Sequence, residues 1–311
     1  MIIRQITQKD YPQMAYIFNS IYPYYSNTEE DIRFEYEDEA KRTNLKAYVV
    51  EINGEVVAIA EYYKSRYKTP DNRKIIELGI YVDPRYQGKG IGSYAYEFIL
   101  KEIRKENVKS VVTHVLSSHI NSINFLIKRG FYEIYSYYEL ELNLEKINIE
   151  NLYSQCKTSE NFEIISLKEE KNLDKLKLYE LLKAIANDMP SPLPYDTPEF
   201  KEIMQMLFNN PYAIFDSSFI AKKGNDYVGF SSLYKENDEI ANQGITGVIK
   251  DYRNKGIAKA LKLKVIEHAK QKGFKIIRTW NGCTNYKILT LNRKLGFEFK
   301  RAWILFYKEL D

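Results

Sequence analysis

The stretch Gln87-Gly88-Lys89-Gly90-Ile91-Gly92 recurs 166 residues later as Arg253-Asn254-Lys255-Gly256-Ile257-Ala258. Each copy continues without a gap to a Gly-Phe pair, at Gly130-Phe131 and at Gly296-Phe297, so the spacing is the same in both. A repeat at a fixed interval indicates two copies of one structural unit. The sequence therefore predicts a chain built from two similar domains.

A helical pattern follows both glycine turns. Apolar residues recur at helical spacing, at Ile91, Ala95, Phe98 and Ile99 in the first copy and at Ile257, Leu261, Val265 and Ala269 in the second. The first N–H groups of a helix lack partners within the helix and lie at the positive end of its dipole. Glycine lets a phosphate approach these groups because it has no Cβ. We interpret each turn as a phosphate site; a plain turn into a helix is the alternative.

Each half of the chain shows the same order of predicted elements: strand, helix, hairpin, strand, glycine turn, helix, strand, helix and closing strand. In the first half the hairpin turns at Asn53-Gly54, a dipeptide suited to two-residue connections. This order predicts an α/β fold of two tandem domains, each a mixed, mostly antiparallel sheet flanked by helices. The domains are expected at 1–144 and 162–311, with a polar linker at 145–161.

Composition limits the classes of function. With 311 residues and 44% hydrophobic side chains, the chain can bury two cores of ordinary size. The net charge of +4 is too small for a general nucleic-acid binder, and the sequence offers no run of about 18 apolar residues to span a bilayer. Cys156 and Cys283 suggest neither a disulfide framework nor a thiolate metal site. We expect a cytoplasmic protein with no metal and with neither nucleic acid nor membrane as a partner.

The two turns also match a family pattern. A strand, then (Gln or Arg)-x-x-Gly-x-(Gly or Ala), a helix, a strand, a helix and Gly-Phe resembles the GNAT family of acyl-CoA-dependent N-acyltransferases. The pattern is filled by Gln87, Gly90 and Gly92 in one copy and by Arg253, Gly256 and Ala258 in the other. The second half, which includes Thr246-Gly247-Val248 and Thr279-Trp280-Asn281, is similar to the C-terminal half of mycothiol-synthase-like tandem GNAT proteins.

The resemblance implies that acetyl-CoA is the acyl donor. The main chain of each turn would bind the pyrophosphate, and the strand just before it would pair with the pantetheine, as suits an amide-bearing ligand at an open strand edge. In the first copy the implied binding residues are Ile80, Tyr81, Val82, Gln87, Gly88, Lys89, Gly90, Ile91, Gly92, Asn121 and Asn124. In the second copy they are Gly247, Val248, Ile249, Arg253, Asn254, Lys255, Gly256, Ile257, Ala258, Asn285 and Asn292. Solvated side chains for Lys89 and Lys255, and helix capping by Asn121 and Asn285, are the alternatives.

Attack of an amine on a thioester needs a proton acceptor, because most amines are protonated near neutral pH. Glu77, on the strand that enters the first turn, is the predicted base, since many members of the family carry a Glu there. An ordinary solvent-facing carboxylate is the alternative. The aligned residue of the second copy is Gln243, which cannot accept a proton. In that copy Asp238, Glu239 or a water chain would act, or the copy does no chemistry.

The usual acid of the family is missing from both copies. The Tyr commonly found five residues before the Phe of the Gly-Phe pair is Leu126 in the first copy and Asn292 in the second. Tyr132 and Tyr138 are the candidate substitutes, although most tyrosines in a chain with 27 of them belong to the core. The histidines have no acidic partner at ligand or triad spacing, so no metal site or serine-type site is predicted; they are His114, His119 and His268.

The predicted function is the transfer of an acetyl group from acetyl-CoA to a primary amine of a small molecule or peptide by direct attack. The fuller glycine motif and Glu77 favour the first copy as the active one, whereas the mycothiol-synthase-like resemblance favours the second. An acyl-CoA-binding sensor or scaffold, in which one or both domains are non-catalytic, is the alternative. The acceptor amine and the oligomeric state stay open.

Three further segments are candidates for binding. The loop at 22–25, after the first helix, and the proline loop at 190–198, in the matching region of the second copy, lie where members of the family build an acceptor pocket; either could instead only cover the core. Lys259, Lys262, Lys264 and Lys270 could form a basic helix face for nucleic acid, but an ordinary solvated face is the favoured interpretation.

Overall fold

Apolar strands and amphipathic helices alternate through both halves of the chain in the computed structural model. It describes residues 1–156 and 161–310, without the side chains at 38, 39 and 42. Part of the predicted linker, 157–160, therefore lies outside the described residues. The strands are β1 (Ile2–Gln5), β2 (Lys46–Ile52), β3 (Glu55–Lys68), β4 (Lys74–Val82), β5 (Ser110–Leu116), β6 (Tyr132–Asn143), β7 (Glu163–Ser166), β8 (Phe219–Lys223), β9 (Asp226–Lys235), β10 (Ile240–Val248), β11 (Ile276–Gly282) and β12 (Glu298–Glu309).

The helices lie between these strands as the repeat predicts. They are α1 (Tyr11–Ile21), α2 (Glu29–Arg33), α3 (Ala40–Thr43), α4 (Ile91–Arg104), α5 (Ile120–Ile127), α6 (Ile149–Ser154), α7 (Lys175–Asn187), α8 (Phe200–Phe208), α9 (Ile257–Gln271) and α10 (Tyr286–Lys294). A π-helical stretch, Phe34–Glu39, connects α2 to α3. None of the helices in the described part of the chain has the length and apolar character that a bilayer crossing requires.

The chain divides into two units, which are not contiguous in sequence. Unit 1 contains Met1–Tyr135, Pro192–Asp196 and the residues from Ile304 onward, and unit 2 contains Ser136–Ser191 and Thr197–Trp303. The strand that closes the sheet of each unit therefore comes from the other repeat: the end of β12 in unit 1 and most of β6 in unit 2. The order of predicted elements in the sequence assigns each closing strand to its own half, and the structure exchanges them. The domain bounds 1–144 and 162–311, which were drawn from the repeat, stay a prediction.

The sheet of unit 1 runs in the order β1-β2-β3-β4-β5, followed by the end of β12. Neighbouring strands are antiparallel from β1 to β4, and β4 is parallel to β5. The last strand is held to β5 by a hydrogen bond between Ser110 Oγ and Tyr307 Oη, 2.7 Å apart. The β5–β12 connection also includes a bond from the N–H of Leu310 to the carbonyl of Lys109.

The sheet of unit 2 repeats this arrangement in the order β7-β8-β9-β10-β11-β6. The pairs β7–β8, β8–β9 and β9–β10 are antiparallel, and β10 is parallel to β11. The closing strand β6 is antiparallel to β11 over seven paired positions, from Tyr137 opposite Gly282 to Asn143 opposite Ile276. Each unit is thus a mixed, mostly antiparallel sheet.

Helices cover both faces of the sheet in unit 1. On one face α4 packs on the strands with a buried stripe that includes Ile91, Ala95 and Ile99. On the other face α1 and α2 contribute Met14, Ile17 and Ile32. Because β3 lies between these layers, its residues 56–60 are apolar without alternation and all are buried. Burying a Val or Ile side chain, as at Val56, Val57 and Ile59, stabilises the fold by about 1.5–3 kcal/mol each.

Candidate active site

The two glycine turns have nearly identical backbone geometry. Gly90 and Gly256 are the N-cap residues of α4 and α9, with φ of 83° and 85° and ψ of −6° and −7°. This left-handed conformation is strained for residues with a Cβ and explains glycine at both positions. In the described part of the chain, no side chain caps either helix. The first N–H groups of both helices are therefore left for another acceptor.

A second residue of each turn, two positions before the N-cap glycine, also has a left-handed backbone conformation. In the first copy this is Gly88, with φ of 75°, and in the second it is Asn254, with φ of 63°. Asparagine tolerates this conformation better than most residues with a side chain. The second copy thus keeps the conformation of the turn although it has lost one of the glycines.

The first motif residue braces the turn in both copies. Gln87 Nε2 donates to the carbonyl of Val82 at 3.0 Å, and Arg253 Nε donates to the carbonyl of Val248 at 2.8 Å. These carbonyls belong to the last residues of β4 and β10. The side chains therefore connect the end of each strand to the start of its turn.

The space above the first turn suits a bulky anion. A Cβ added to Gly88 or Gly90 would meet no atom of the described residues within 4 Å. Residues 87–90 are exposed, so a ligand can reach the N–H groups at the start of α4. Lys89 Nζ lies 5.0 Å from the centre of the Tyr86 ring, and Lys255 lies at the same distance from Tyr252. The residues present fit a diphosphate, although phosphate contacts by the lysines stay a prediction.

Each turn lies at the end of two parallel strands that separate. In unit 1 the described pairing of β4 with β5 is confined to Ile76 opposite Val111 and Glu77 opposite Val112. In unit 2 the pairing of β10 with β11 ends at Asn242 opposite Arg278. Beyond these points a wedge opens, and residues 78–82 and 243–248 have no ladder partner on that side within the described residues. Residues 80–82, 247 and 248, for which ligand pairing is predicted, lie on these edges, whereas Ile249 follows the last residue of β10 and its N–H donates to the Val228 carbonyl.

Glu77 lies at the apex of the wedge in unit 1, where the strands begin to separate. Its Oε1 is 2.8 Å from His114 Nδ1, and Ser65 Oγ donates to its Oε2 at 3.4 Å. Only 16% of the Glu77 side chain and 28% of the His114 side chain are exposed, so both are sheltered but reachable. The expectation that the histidines lack an acidic partner is wrong for His114. The two residues are 37 apart in sequence and meet only because β4 and β5 are neighbours.

A second carboxylate, which the sequence analysis missed, lies on the same face. Glu61 on β3 is diagonal to Glu77, because Glu61 lies opposite Gly79 and Tyr63 lies opposite Glu77. The hydroxyl of Tyr36 donates to Glu61, and the hydroxyl of Tyr81 does so at 3.3 Å. Burial raises the pKa of Glu61 to about 8, and the nearby Glu35 carboxylate adds to the shift. In the sequence, the position of Glu61 directly after the apolar run 56–60 could have indicated a buried carboxylate.

Aromatic side chains adjoin this face. The Tyr22 ring stacks on His119 with 5.5 Å between centres, and it lies 6.4 Å from the Tyr81 ring. The contacts of Tyr22 with Tyr81 and His119 are consistent with the prediction that the loop at 22–25 adjoins the site. The Pro192–Asp196 segment also belongs to unit 1, where the N–H of Lys68 donates to the Pro194 carbonyl at 2.8 Å. That segment extends the edge of β3 beyond Ser65.

The counterpart of Glu77 in unit 2 is not Gln243, as the equal spacing had suggested. A β-bulge between Gln243 and Thr246 adds one residue to β10. Glu77 lies opposite Val112, and the residue at the equivalent rung is Asn242, opposite Arg278. Because side chains alternate along a strand, Gln243 points to the opposite face, towards α9.

Neither proposed replacement base lies in the wedge of unit 2. Asp238 is 93% exposed and pairs with Lys235, and Glu239 is 62% exposed and pairs with Lys275. Both residues precede Ile240, the first residue of β10. Gly229 lies opposite Val248, as Ala58 lies opposite Val82 in unit 1. Three residues further along each strand, Ser232 is therefore the counterpart of Glu61. Unit 2 thus has an amide and a hydroxyl where unit 1 has two carboxylates.

The candidate asparagines differ in their surroundings. Asn121 and Asn124 on α5 are exposed. Asn121 is not the N-cap of α5, which is His119, and Asn285 is the N-cap of α10 without a side-chain cap bond among the described residues. Capping, the alternative for both, is not what the side chains do. Asn292 is fully buried and donates to Asn281 Oδ1 at 2.6 Å.

The two candidate acids lie in different units. Tyr132 is 53% exposed in unit 1, and its ring lies 5.6 Å from that of Tyr307. Tyr138 belongs to unit 2, where it lies opposite Asn281 on β11 and packs edge-on against Phe299. Tyr138 thus belongs to the sheet of unit 2, which β6 closes, although it follows the Gly-Phe pair of the first copy, and its role as an acid stays a prediction.

The prediction of a basic face on α9 is wrong for Lys262. Lys262 is 1% exposed and donates to Gln243 Oε1, so it cannot face a nucleic acid. Lys259, Lys264 and Lys270 are engaged with Gln155, Glu267 and Ile147. Within residues 1–156 and 161–310, no group of three or more His, Cys, Asp or Glu side chains has the arrangement of a metal site.

Comparison with known proteins adds to this geometry. The model of the acetyltransferase (GNAT) family matches residues 11–131 and 161–297. An uncharacterised N-acetyltransferase of Methanocaldococcus jannaschii is 35% identical over 106 residues, which cover 30% of this chain and 46% of that protein. The chain spans about half the length of the curated relatives it matches.

Solved structures share the whole fold. A GCN5-related N-acetyltransferase from Sphaerobacter thermophilus has a TM-score of 0.74 at 17% identity, with 99% of this chain and 95% of that one covered. A tandem GNAT protein from the clavulanic acid biosynthesis pathway has a TM-score of 0.75 at 15% identity, with 99% and 98% covered. These structures confirm the predicted fold class. The mycothiol-synthase-like resemblance of the second half stays a prediction.

Two matches to one family model, each spanning a glycine turn at the start of an uncapped helix and together covering more than half of the chain, show that this protein belongs to the acetyltransferase (GNAT) family, with two GNAT-like halves in tandem.

Proposed function

We propose that unit 1 transfers an acetyl group from acetyl-CoA to a primary amine of a small molecule or peptide. Acyl transfer follows from the family, whereas the donor, the acceptor and the residues are our proposal. The observation that carries it is the position of Glu77, bonded to His114 at the apex of a wedge whose mouth is an uncapped helix start.

The main chain of unit 1 would hold the donor at two places. The free N–H groups at the start of α4 would bind the diphosphate, with Gly88 and Gly90 leaving space for it. The unpaired edge of Ile80, Tyr81 and Val82 would bond the amides of the pantetheine as an added strand does. A ligand held in this way extends from the mouth of the wedge towards its apex.

Glu77 would act on the acceptor amine. When bound, the thioester supplies an activated acyl carbon, whose bond to sulfur breaks as a bond to the amine nitrogen forms. The amine must lose a proton in this step, and Glu77 is within a sheltered site that holds it in one orientation through His114 and Ser65. The rings of Tyr22 and Tyr81 favour an acceptor that is an aliphatic ammonium before it reacts, whereas Glu61, with its pKa raised to about 8, is mostly uncharged near neutral pH.

The departing sulfur would take its proton without the usual tyrosine. Leu126 is buried and occupies that position in unit 1. A thiol with a pKa near 8.5 is a tolerable leaving group, so the missing acid slows the reaction without abolishing it. Tyr132 stays the candidate acid of unit 1.

The test is thiol release across a panel of primary amines. Wild-type protein should release CoA thiol in the presence of one or more amines, and Glu77→Gln should lower kcat by about 100-fold to 10,000-fold with little change in acetyl-CoA affinity. Asn242→Asp, at the same rung of unit 2, is the matched control and should leave turnover unchanged. Full activity of Glu77→Gln would contradict the proposal.

A non-catalytic role is the second candidate for unit 2. It rests on the loss of both carboxylates, since Asn242 and Ser232 stand where unit 1 has Glu77 and Glu61. Binding of acetyl-CoA to unit 2 of the Gly90→Glu variant, in which the first turn is blocked, without turnover of any amine in the panel would support this role.

A further inference from the structure

A buried lysine lies inside unit 2 with no carboxylate among its described contacts. Lys262 extends from α9 into the interior, and only 1% of the residue is exposed. Its Nζ donates to Gln243 Oε1 and lies 5.1 Å from the centre of the Phe297 ring. A fully desolvated amine without a counter-ion favours its neutral form, and burial lowers the pKa of Lys262 to about 7. Neutral amines are nucleophiles.

This amine lies at the apex of the wedge in unit 2. Gln243 is the first residue after the last paired rung of β10 and β11. The hydroxyl of Thr279, from the opposite strand, donates to the Gln243 carbonyl at 3.2 Å. Lys262 therefore reaches the place where the two strands separate, on the face that carries α9. The glycine turn at the start of the same helix forms the mouth of this wedge.

Hydrogen bonds connect the lysine to the open strand edge. Gln243 Nε2 donates to Ser231 Oγ at 3.2 Å, and Ser231 Oγ lies 2.8 Å from Thr246 Oγ1. Thr246 is on the unpaired stretch 243–248, which spans about 16 Å at the rise of a strand. A ligand that follows this edge from the turn would place its far end near Gln243 and Lys262.

A second observation points to a missing ligand group on the same face. Asn292 Oδ1 is buried and has no hydrogen-bond partner among residues 1–156 and 161–310. Leaving a buried acceptor without a donor costs about 1–3 kcal/mol. Asn292 lies beside Asn281, the residue after Trp280 on β11. A donor from a bound molecule would satisfy this oxygen.

Unit 1 has apolar or aromatic residues at the same positions. Tyr96 replaces Lys262 on the helix, Leu78 replaces Gln243 at the rung opposite β3, and Leu126 replaces Asn292. All three are buried. Apolar or aromatic side chains can therefore fill these three positions of the fold. Packing does not explain why unit 2 has Lys262, Gln243 and Asn292 there instead.

We propose that Lys262 is an acyl acceptor within unit 2, modified by the thioester that the second glycine turn binds. This inference rests on the proposed binding of acetyl-CoA by both turns. A bond forms between Lys262 Nζ and the acyl carbon, the bond from that carbon to sulfur breaks, and one Nζ proton goes to the departing sulfur. The products are an N-acyl-lysine and the free thiol. No external base is required, in keeping with the absence of carboxylates at Asn242 and Ser232.

Isotope labelling of the whole protein tests this step. The protein is incubated with acetyl-CoA that carries a ¹³C-acetyl group, and peptides are analysed by mass spectrometry. Lys262 should be labelled at least about tenfold faster than Lys259, Lys264 and Lys270 at pH 7, because burial lowers its pKa to about 7 and much of its amine is neutral there. Its labelling rate should level off above about pH 8, whereas that of a free lysine peptide added as a reference, with the ordinary pKa near 10.4, should continue to rise. The described contacts of Lys262 from β10 and from Phe297 include no charged group that would change this profile.

Two variants separate this inference from the proposed function. Gly256→Glu should abolish labelling of Lys262 and leave that of Lys264 unchanged, because it blocks the second turn alone. Lys262→Met should retain acetyl-CoA binding by calorimetry, which shows that the variant folds. If acetyl-CoA binds to unit 2 and Lys262 stays unlabelled, or if its labelling survives Gly256→Glu, this inference is wrong while the proposed function stands. If neither turn binds acetyl-CoA, the proposed function itself fails.

Discussion

The two units hold their glycine turns in the same way but differ at the apex of the wedge. Both turns have a left-handed N-cap glycine and a side chain that bonds back to the end of the preceding strand. At the apex, unit 1 has Glu77 with His114, whereas the same rungs of unit 2 have Asn242 and Trp280. The turns bind a ligand through main-chain N–H groups, so a substitution that keeps the backbone conformation, such as Asn254 in place of Gly88, keeps the binding site. Proton transfer depends on particular side chains, so it is lost by single substitutions.

The largest expected effect comes from blocking each turn separately. Gly90→Glu and Gly256→Glu should each remove one of two acetyl-CoA sites, with affinity at that site weakened about 100-fold or more by strain, bulk and like charge. Only Gly90→Glu should also abolish amine turnover. Calorimetric site number and thiol release measure the two effects.

Gly54→Glu is the matched control for these variants. Gly54 has the same φ of 83° and open space around a Cβ, but it lies in the hairpin between β2 and β3. It should show the backbone strain without the loss of a site. Loss of turnover in Gly256→Glu, with Gly90→Glu active, would reverse the roles that we assign to the two units.

The buried carboxylate of unit 1 should reduce stability as pH rises. Glu61 has a folded-state pKa of about 8 against an ordinary value of 4.5, so the folded protein binds more protons between these pH values. The free energy of unfolding therefore falls across this window, by a few kcal/mol at most. Glu61→Gln should raise stability at pH 8 and have little effect near pH 4.5, as urea denaturation at several pH values would show. Glu97→Gln, at an exposed site on α4, should show no such trend.

The buried lysine of unit 2 should give the opposite slope. Lys262 has a folded-state pKa of about 7 against an ordinary value of 10.5, so the unfolded chain binds more protons in this window and stability rises with pH. Lys262→Met should stabilise the protein by up to a few kcal/mol at pH 7, with the gain shrinking towards pH 10. A gain that does not depend on pH would mean that the lysine is charged when buried.

The smallest expected effect concerns the residues that brace the turns. Gln87→Ala and Arg253→Ala each remove one hydrogen bond to a strand carbonyl, worth about 1 kcal/mol, and Arg253→Ala also removes the exposed ion pair between Arg253 and Asp188. Each should weaken acetyl-CoA binding at its own site about fivefold and leave the other site unchanged. Gln271→Ala, at the exposed end of α9, is the control. Equal loss at both sites would indicate a general effect on folding.

Several parts of the site could be read from the chain because their determinants are local. The glycine turns, their helices and the strands before them lie within a few residues of one another, and their spacing repeats. Glu77 is the base candidate because it lies on the strand before the turn, where many members of the family carry a Glu. These features depend on backbone conformation and on neighbours along the chain, which sequence patterns report directly.

Other parts depend on residues that are distant in sequence. The Glu77–His114 pair requires β4 to lie beside β5, and the burial of Glu61 and Lys262 requires layers on both sides of each sheet. The bulge in β10 moves Gln243 to the other face and makes Asn242 the counterpart of Glu77. A one-residue shift exchanges the faces of a strand, and equal spacing between glycines cannot reveal it.

By itself, the sequence determined that this protein is a tandem GNAT-like chain with two glycine turns, because helix starts and left-handed residues are encoded in short segments. Only the tertiary structure decided which strand closes each sheet, which carboxylates share a face and which lysine is buried. Those outcomes follow from strand pairing and from the exclusion of water between layers. Both are properties of the assembled fold that no short segment contains.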